Sequence, residues 1–353
     1  MAEGKGQTRN WLIIASLPAG NSHYKVYKDT EKKSKLVMAS RIGFHVSISG
    51  GISNSVDNAL KIGCNTFQIF SRNPRGWTAK PLQGDDVENF RKKLNESKID
   101  RYSVFVHMPY LPNLSSSDKK LYKRSSDTLR EEIKRCSTLG IPHVILHMGR
   151  YGEQGREHGI NQMEKACTSA INYYYRSSWS STLESEISKK GNIGIEYKPV
   201  MIILENSAGG KNSLGSRFDE LGLILDKLKF SSVRQNSFGI CLDTCHAFAA
   251  GYDLKTKEGV SETLDKFKSE IGLKNLKLVH LNDSKDMLSS NRDRHEHIGL
   301  GKIGMQGFKE LLTYKAVRKI PFIMETPLDK RRQNHDNLKV VLKLLNDNKE
   351  REN

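Results

Sequence analysis

Eight short apolar runs, separated by longer segments of helical spacing, constrain this chain more than any other feature. The runs fall at Ile42–Ile48, Thr66–Phe70, Ser103–His107, His143–His147, Met201–Leu204, Phe238–Leu242, Leu276–Leu281 and Pro321–Met324. Each has the length of a strand and the continuous apolar character of one buried on both faces. Between them, Asp86–Leu94, Lys120–Leu139, Phe218–Leu228, Ser261–Ile271 and Met305–Leu312 carry apolar residues at the helical period. Alternating strands and helices predict a parallel sheet with helices outside it. An open doubly wound sheet alternates too, but no Gly-rich phosphate fingerprint follows the first strand. The expected fold is therefore α/β, a parallel (β/α)8 TIM barrel.

The barrel is expected to occupy residues 41–353 as one catalytic domain, preceded by a basic N-terminal extension, residues 1–40. The extension has two strand-like runs, Asn10–Leu17 and Tyr24–Tyr27, around the turn-forming Pro18–Ser22, then a solvated charge run at Asp29–Lys35. Thr168–Val200 interrupts the rhythm and reads as an insertion, a helix followed by an extended surface excursion. Leu338–Leu345 has the spacing of an amphipathic helix, with a fraying end at 346–353.

The charge narrows the partner. The chain carries 57 Lys and Arg against 40 Asp and Glu, a formal +17. Seven basic and three acidic residues in 1–40 place about +4 there and leave about +13 on the barrel. A body so basic favours a polyanion, through phosphate neutralisation and counterion release. Five scattered cysteines give no disulfide framework, which suits an intracellular, reducing compartment. No stretch approaches the roughly 20 apolar residues of a membrane span. The apolar patch Trp11–Leu17 is too short for a secretory signal.

Strand ends carry the chemistry. The third run ends in His107, the fourth in His147, and Glu205 follows the fifth. Asp243 follows the sixth, His280 stands at the end of the seventh, and Glu325 follows the eighth. In a barrel these ends converge on one face, where its active sites lie. Any one of them alone is ordinary, but several buried charges in phase are costly unless they neutralise one another or hold ions. Mixed imidazole and carboxylate donors suit zinc or manganese. Asp243 and His246 stand together after the sixth strand, and Asp293 and His295 follow the seventh. His246, Asp293 and His295 make three ligands with an open position, a catalytic-zinc layout. Cys245, between two of these ligands, is expected to pack rather than bind.

The runs Phe44-His-Val-Ser47, Phe70-Ser-Arg-Asn-Pro-Arg-Gly-Trp77, His107-Met-Pro-Tyr-Leu-Pro-Asn-Leu114 and Leu204-Glu-Asn-Ser-Ala-Gly209 resemble those of endonuclease IV, the zinc-dependent abasic-site endonucleases of base excision repair. So do Cys241-Leu-Asp-Thr-Cys-His-Ala-Phe-Ala-Ala-Gly-Tyr-Asp253, His280-Leu-Asn-Asp283 and Asp293-Arg-His295, in the same order. The resemblance runs from Arg41 to the end and implies a cluster of three zinc ions, with manganese an alternative at one. One ion would take His107 and His147, with Glu205 bridging to a second. The second would add Asp243, His280 and Glu325, and the third would take His246, Asp293 and His295. Glu205 would be the catalytic carboxylate, bridging the ions where the attacking hydroxide forms.

The implied substrate is double-stranded DNA with an abasic site or a blocked 3′ end, cut 5′ to the lesion by a monomer. Arg72, Arg75 and Trp77, with Tyr110 and Leu111, would enter the minor groove and fill the gap left by the extruded nucleotide. Pro74, Met148 and Arg150 depart from the family pattern, as do the extension and Thr168–Val200. Two other classes use the same residues differently. A metal-dependent sugar isomerase or epimerase would need Glu205, Asp243, His280 and Glu325 only. A non-catalytic DNA-binding scaffold would need the basic surface and no ions.

Overall fold

The computed structural model describes residues 40–179, 200–232 and 234–350. Eight parallel strands close into a barrel: β1 (Ile42–His45), β2 (Thr66–Phe70), β3 (Val104–His107), β4 (His143–His147), β5 (Met201–Glu205), β6 (Phe238–Asp243), β7 (Leu276–His280) and β10 (Phe322–Met324). Closure comes from β10 lying beside β1, with Ile42 opposite Phe322. A separate antiparallel hairpin, β8 (Asp283–Ser284) with β9 (His295–Glu296), sits in the loop after β7.

Helices surround the strands: α1 (Asn54–Ile62), α2 (Gly84–Glu96), α3 (Lys119–Leu139), α4 (Gly155–Trp179), α5 (Phe218–Ser231), α7 (Lys257–Glu270), α8 (Gly304–Leu311), α9 (Lys315–Arg318) and α10 (Asn334–Glu350), while the short α6 (Thr244–Ala249) is buried directly after β6. Local signals set their limits. Asp118 Oδ1 accepts from Leu121 N at 2.8 Å and opens α3. Gly140, at φ 76°, closes it in the left-handed conformation that glycine adopts freely. Leu129, Ile133, Cys136 and Leu139 line its buried face.

The two-residue period of the strands sorts the core into two parts. Phe105, Ile145, Ile203, Cys241, Leu278 and Ile323 form a plug inside the barrel. Their neighbours, such as Val106, Val144, Leu204 and Ile240, face outward into the larger core under the helices. Two residues beyond the plug members, in the same order, stand His107, His147, Glu205, Asp243, His280 and Glu325. An apolar floor therefore lies beneath a layer of imidazoles and carboxylates. At the β1–β2 seam, Gly43 permits a close approach: a Cβ there would lie 1.6 Å from Thr66 O.

Some elements differ from expectation. Helix α4 starts at Gly155 and runs unbroken to Trp179, so the helix expected at the head of Thr168–Val200 is the end of a longer crossover helix. Residues 180–199 and the strand-like runs of the extension lie outside the described residues. Helix α1 is not among the expected helices; its buried face is made of Ser55, Val56 and Ala59. The β8–β9 hairpin is too short to leave a pattern.

Candidate metal centre

The nine candidate ligands converge at the C-terminal mouth of the barrel. His107, His147 and Glu205 form one group of donor atoms, and Glu205, Asp243, His280 and Glu325 a second, each within 4.8 Å. Asp243, His246 and His295 form a third. His107 Nε2 and His147 Nε2 lie 3.1 and 3.3 Å from Glu205 Oε2, and His280 Nδ1 lies 2.9 Å from Glu205 Oε1. Asp293 Oδ1 stands 3.1 Å from His246 Nε2 and 3.3 Å from His295 Nε2. Glu205 thus joins the first two groups, and Asp243 the last two.

The ring tautomers show what these contacts are. His107 Nδ1 donates to Met108 O at 2.6 Å, His246 Nδ1 to Asn206 O at 2.9 Å, and His295 Nδ1 to Glu325 O at 3.2 Å. When such a ring is neutral, its other nitrogen carries a bare lone pair that faces a carboxylate oxygen. Two acceptors at such distances repel unless a cation stands between them. The Nε2 atoms of His246 and His295 are buried without a hydrogen-bond partner, although Asp293 Oδ1 is near. Three imidazoles anchored by backbone carbonyls, facing four carboxylates, fit divalent ions.

Electrostatics agree with that fit. Burial opposes ionisation of Glu205, but the His280 and His147 imidazoles overcome it and hold the carboxyl well below the usual range. Burial likewise disfavours a charged His246, yet Asp243 and Asp293 draw its affinity for a proton well above that of a free imidazole. A site that attracts protons this strongly in the absence of metal is one that a cation stabilises.

Short polar ties fix the carboxylates. Asn282 Nδ2 donates to Asp243 Oδ2 at 2.7 Å, and Asn206 Oδ1 accepts from Asp243 N at 2.7 Å. Asp243 Oδ1 also caps α6 by accepting from His246 N at 2.8 Å, which sets the turn between the two ligands. Farther out, buried Asp283 accepts from the backbone of Gly299 and Gly301 at 2.9 Å and Ile303 at 3.0 Å, pinning the following loop. Asn206, Asn282 and the mid-strand Gln68 escaped the sequence reading. The first two follow Glu205 and His280 closely, a proximity that was there to be used. Cys245 Sγ lies within reach of Asp293 and His295, but the thiol donates to Arg294 O and is buried.

The candidate DNA residues separate. Tyr110 and Leu111 are 58% and 38% exposed on the rim of a cleft of about 430 Å³ that the ligands floor. Arg75 is exposed on the loop after β2. Trp77 is half-buried, with the Arg124 guanidinium 4.4 Å from its ring centroid. Arg72 must be corrected: its side chain is 1% exposed, bonded to Glu132 and 2.9 Å from Glu131. Ser71 and Arg135 complete that cluster, Ser71 Oγ donating to Glu132 at 2.6 Å and Arg135 Nε to Ser71 Oγ at 2.7 Å. Arg72 anchors the loop from beneath and cannot meet a phosphate as it stands.

The described helices include none long and apolar enough to cross a membrane. The family profile described as xylose isomerase-like TIM barrel matches residues 56–347. Proteins named probable endonuclease 4 from Nitrosopumilus maritimus (strain SCM1) and Cenarchaeum symbiosum (strain A) are each 46% identical, over 85% of this chain and 98% of theirs. The crystal structure of endonuclease IV from Thermus thermophilus matches with a TM-score of 0.70 at 30% identity, over 87% of this chain and 99% of that one. A D-tagatose 3-epimerase-like protein matches with a TM-score of 0.62 at 17% identity, over 89% and 100%, a likeness of fold alone. With relatives this similar along nearly their whole length, the chain belongs to the endonuclease IV family.

Proposed function

We propose that this protein is a DNA-repair endonuclease that hydrolyses the phosphodiester 5′ to abasic sites and trims blocked 3′ ends. The observation that carries this is the set of imidazole lone pairs facing carboxylates at the barrel mouth. His107 and His147 would hold one zinc ion, Asp243, His280 and Glu325 a second, with Glu205 between them. His246, Asp293 and His295 would hold a third. Such ions, when bound, supply an activated water and neutralise charge on the phosphate oxygens.

The chain's own residues do the rest. Backbone carbonyls hold the rings in one orientation, so no reorganisation is needed when a phosphate arrives. The apolar plug beneath the cluster keeps water from reaching it from below and strengthens every charge interaction above. Tyr110 and Leu111 stand free to wedge into a duplex, and an abasic step costs less to open than a paired one. Arg75 and the basic body neutralise flanking phosphates. We place the enzyme, as a monomer, in an intracellular, reducing compartment, which the five free cysteines support. We assign catalysis to residues 41–353 and treat residues 1–40 as an appendage.

A sugar isomerase would have no task for Asp293, His295 and His246. The test is nicking of an abasic duplex by full-length protein and by residues 41–353, with and without chelator, alongside zinc analysis. Chelator-sensitive nicking, three zinc ions per chain and loss of nicking in His246→Ala are expected. Full activity in metal-stripped protein would sink the proposal.

A further inference from the structure

Gln68 lies buried in β2 and touches two members of the cluster, Glu325 and His280, together with His45. Its Nε2 is 2.7 Å from Glu325 Oε1 and 2.9 Å from His45 Nδ1, and its Oε1 is 2.8 Å from His280 Nε2. A side-chain amide has two N–H donors and one carbonyl, while an ionised carboxylate only accepts. The nitrogen must therefore face Glu325, which turns the carbonyl toward His280. His280 Nε2 then carries a hydrogen, so Nδ1 is the nitrogen that offers a lone pair when an ion displaces its proton. That lone pair lies 2.9 Å from Glu205 Oε1, 3.6 Å from Glu325 Oε2 and 3.9 Å from Asp243 Oδ2, where an ion would take it.

The other anchored imidazoles obtain their outer hydrogen bond from a backbone carbonyl: Met108, Asn206 or Glu325. His280 obtains its bond from a side chain reaching across the barrel, since β1 and β10 separate β2 from β7. The second amide hydrogen meets His45 Nδ1, whose ring packs on Phe70 with centroids 4.2 Å apart. Both N–H groups of the amide and its carbonyl oxygen are thus engaged, which fixes the orientation of the amide.

We propose that Gln68 is the positioning residue of the second ion site, fixing the tautomer of His280 and the orientation of Glu325, with His45 bracing it. The proposal rests on the metal-centre reading above. Outer hydrogen bonds of this kind alter metal affinity by about 10- to 100-fold.

Two variants test it. Gln68→Met keeps the volume and removes all three bonds. Gln68→Glu keeps an acceptor for His280 but sets a like charge against Glu325. Zinc-loaded protein is assayed for zinc content, for zinc release to a chelator, and for the downfield imidazole N–H resonance of His280. Both variants should release zinc at least about tenfold faster and lower kcat on an abasic duplex with KM unchanged. The His280 N–H resonance should vanish in Gln68→Met and persist in Gln68→Glu. Thermal unfolding of the metal-free forms checks folding, and if Gln68→Met folds poorly the Glu variant decides alone. Wild-type zinc release and an unchanged resonance in the variants overturn the role of Gln68 while leaving the metal centre standing. A wild-type protein that takes up no zinc overturns both.

Discussion

Replacing Glu205 by Gln is expected to remove most zinc-dependent stability and to destabilise the metal-free protein as well. The carboxylate is 1% exposed, and its two oxygens meet His107, His147 and His280 at 3.1, 3.3 and 2.9 Å. Glutamine has the same shape, but it turns an amide N–H toward one side of the pair and carries no charge. Both ions that share Glu205 would lose a ligand. An ion binding only the folded state stabilises it by about 2.7 kcal/mol at a hundredfold excess over its Kd, so two contribute about 5 kcal/mol. In a barrel of this size about 1 kcal/mol corresponds to roughly 2 °C, so those two ions should raise Tm by about 10 °C. Without metal, the neutral amide leaves the His280 and His147 imidazoles without the charge that they hold in place. Breaking such a buried pair costs about 3–5 kcal/mol, so the metal-free Tm should fall by about 6–10 °C. Differential scanning calorimetry of chelator-stripped protein, titrated with zinc chloride in mildly alkaline buffer, measures both quantities. A Glu205→Gln variant with the full wild-type zinc shift would refute the bridging role. A metal-free variant as stable as wild type would refute the account of its electrostatics.

Other outcomes follow from other parts of the molecule. Glu132→Ala strands the buried guanidinium of Arg72 beside Arg135. Breaking such a buried pair costs about 3–5 kcal/mol, seen as a Tm about 6–10 °C lower, and no change would show the pair to be unimportant. Arg75→Ala should raise KM for an abasic duplex and flatten the dependence of log KM on log salt by about one unit, with kcat unaltered. Tyr110→Ala, at the exposed rim, should slow nicking of abasic duplex more than trimming of a frayed 3′ end, and equal effects would argue against a wedge. Burial holds the His143 imidazole down from 6.5 to about 4. A lowered folded-state value leaves stability unaffected above about pH 6.5. As pH falls toward about 4 the unfolded chain takes a proton the folded one refuses, costing up to about 3 kcal/mol. His143→Leu should lose that share of acid sensitivity, and parallel pH curves for variant and wild type would disprove it.

The barrel and its chemical layer were legible in the sequence because both depend on one short-range rule. Side chains alternate along a strand, so a residue two places past a buried plug position points the same way. Phe105 with His107, Ile203 with Glu205 and Cys241 with Asp243 obey that rule without any tertiary information. Asp243 and His246 were readable together for a similar reason: three positions at a strand-to-helix turn is a local spacing that the Asp243 cap enforces. The failures all concern direction across space. Arg72 and Arg75 look alike in the loop after β2, yet one guanidinium turns down to Glu132 and the other stays outside. Nothing within that loop specifies the choice, because the carboxylate that decides it lies in α3, 60 residues away. Trp77 is claimed by Arg124 of the same helix. Gln68, an unremarked polar residue inside an apolar strand, gains its meaning only when closure brings β7 and β10 within reach of its amide. Strand period and strand ends are properties of the chain. Which tautomer a ring adopts, which arginine meets solvent and which amide holds a ligand in place are properties of neighbours that the chain supplies only after it has folded.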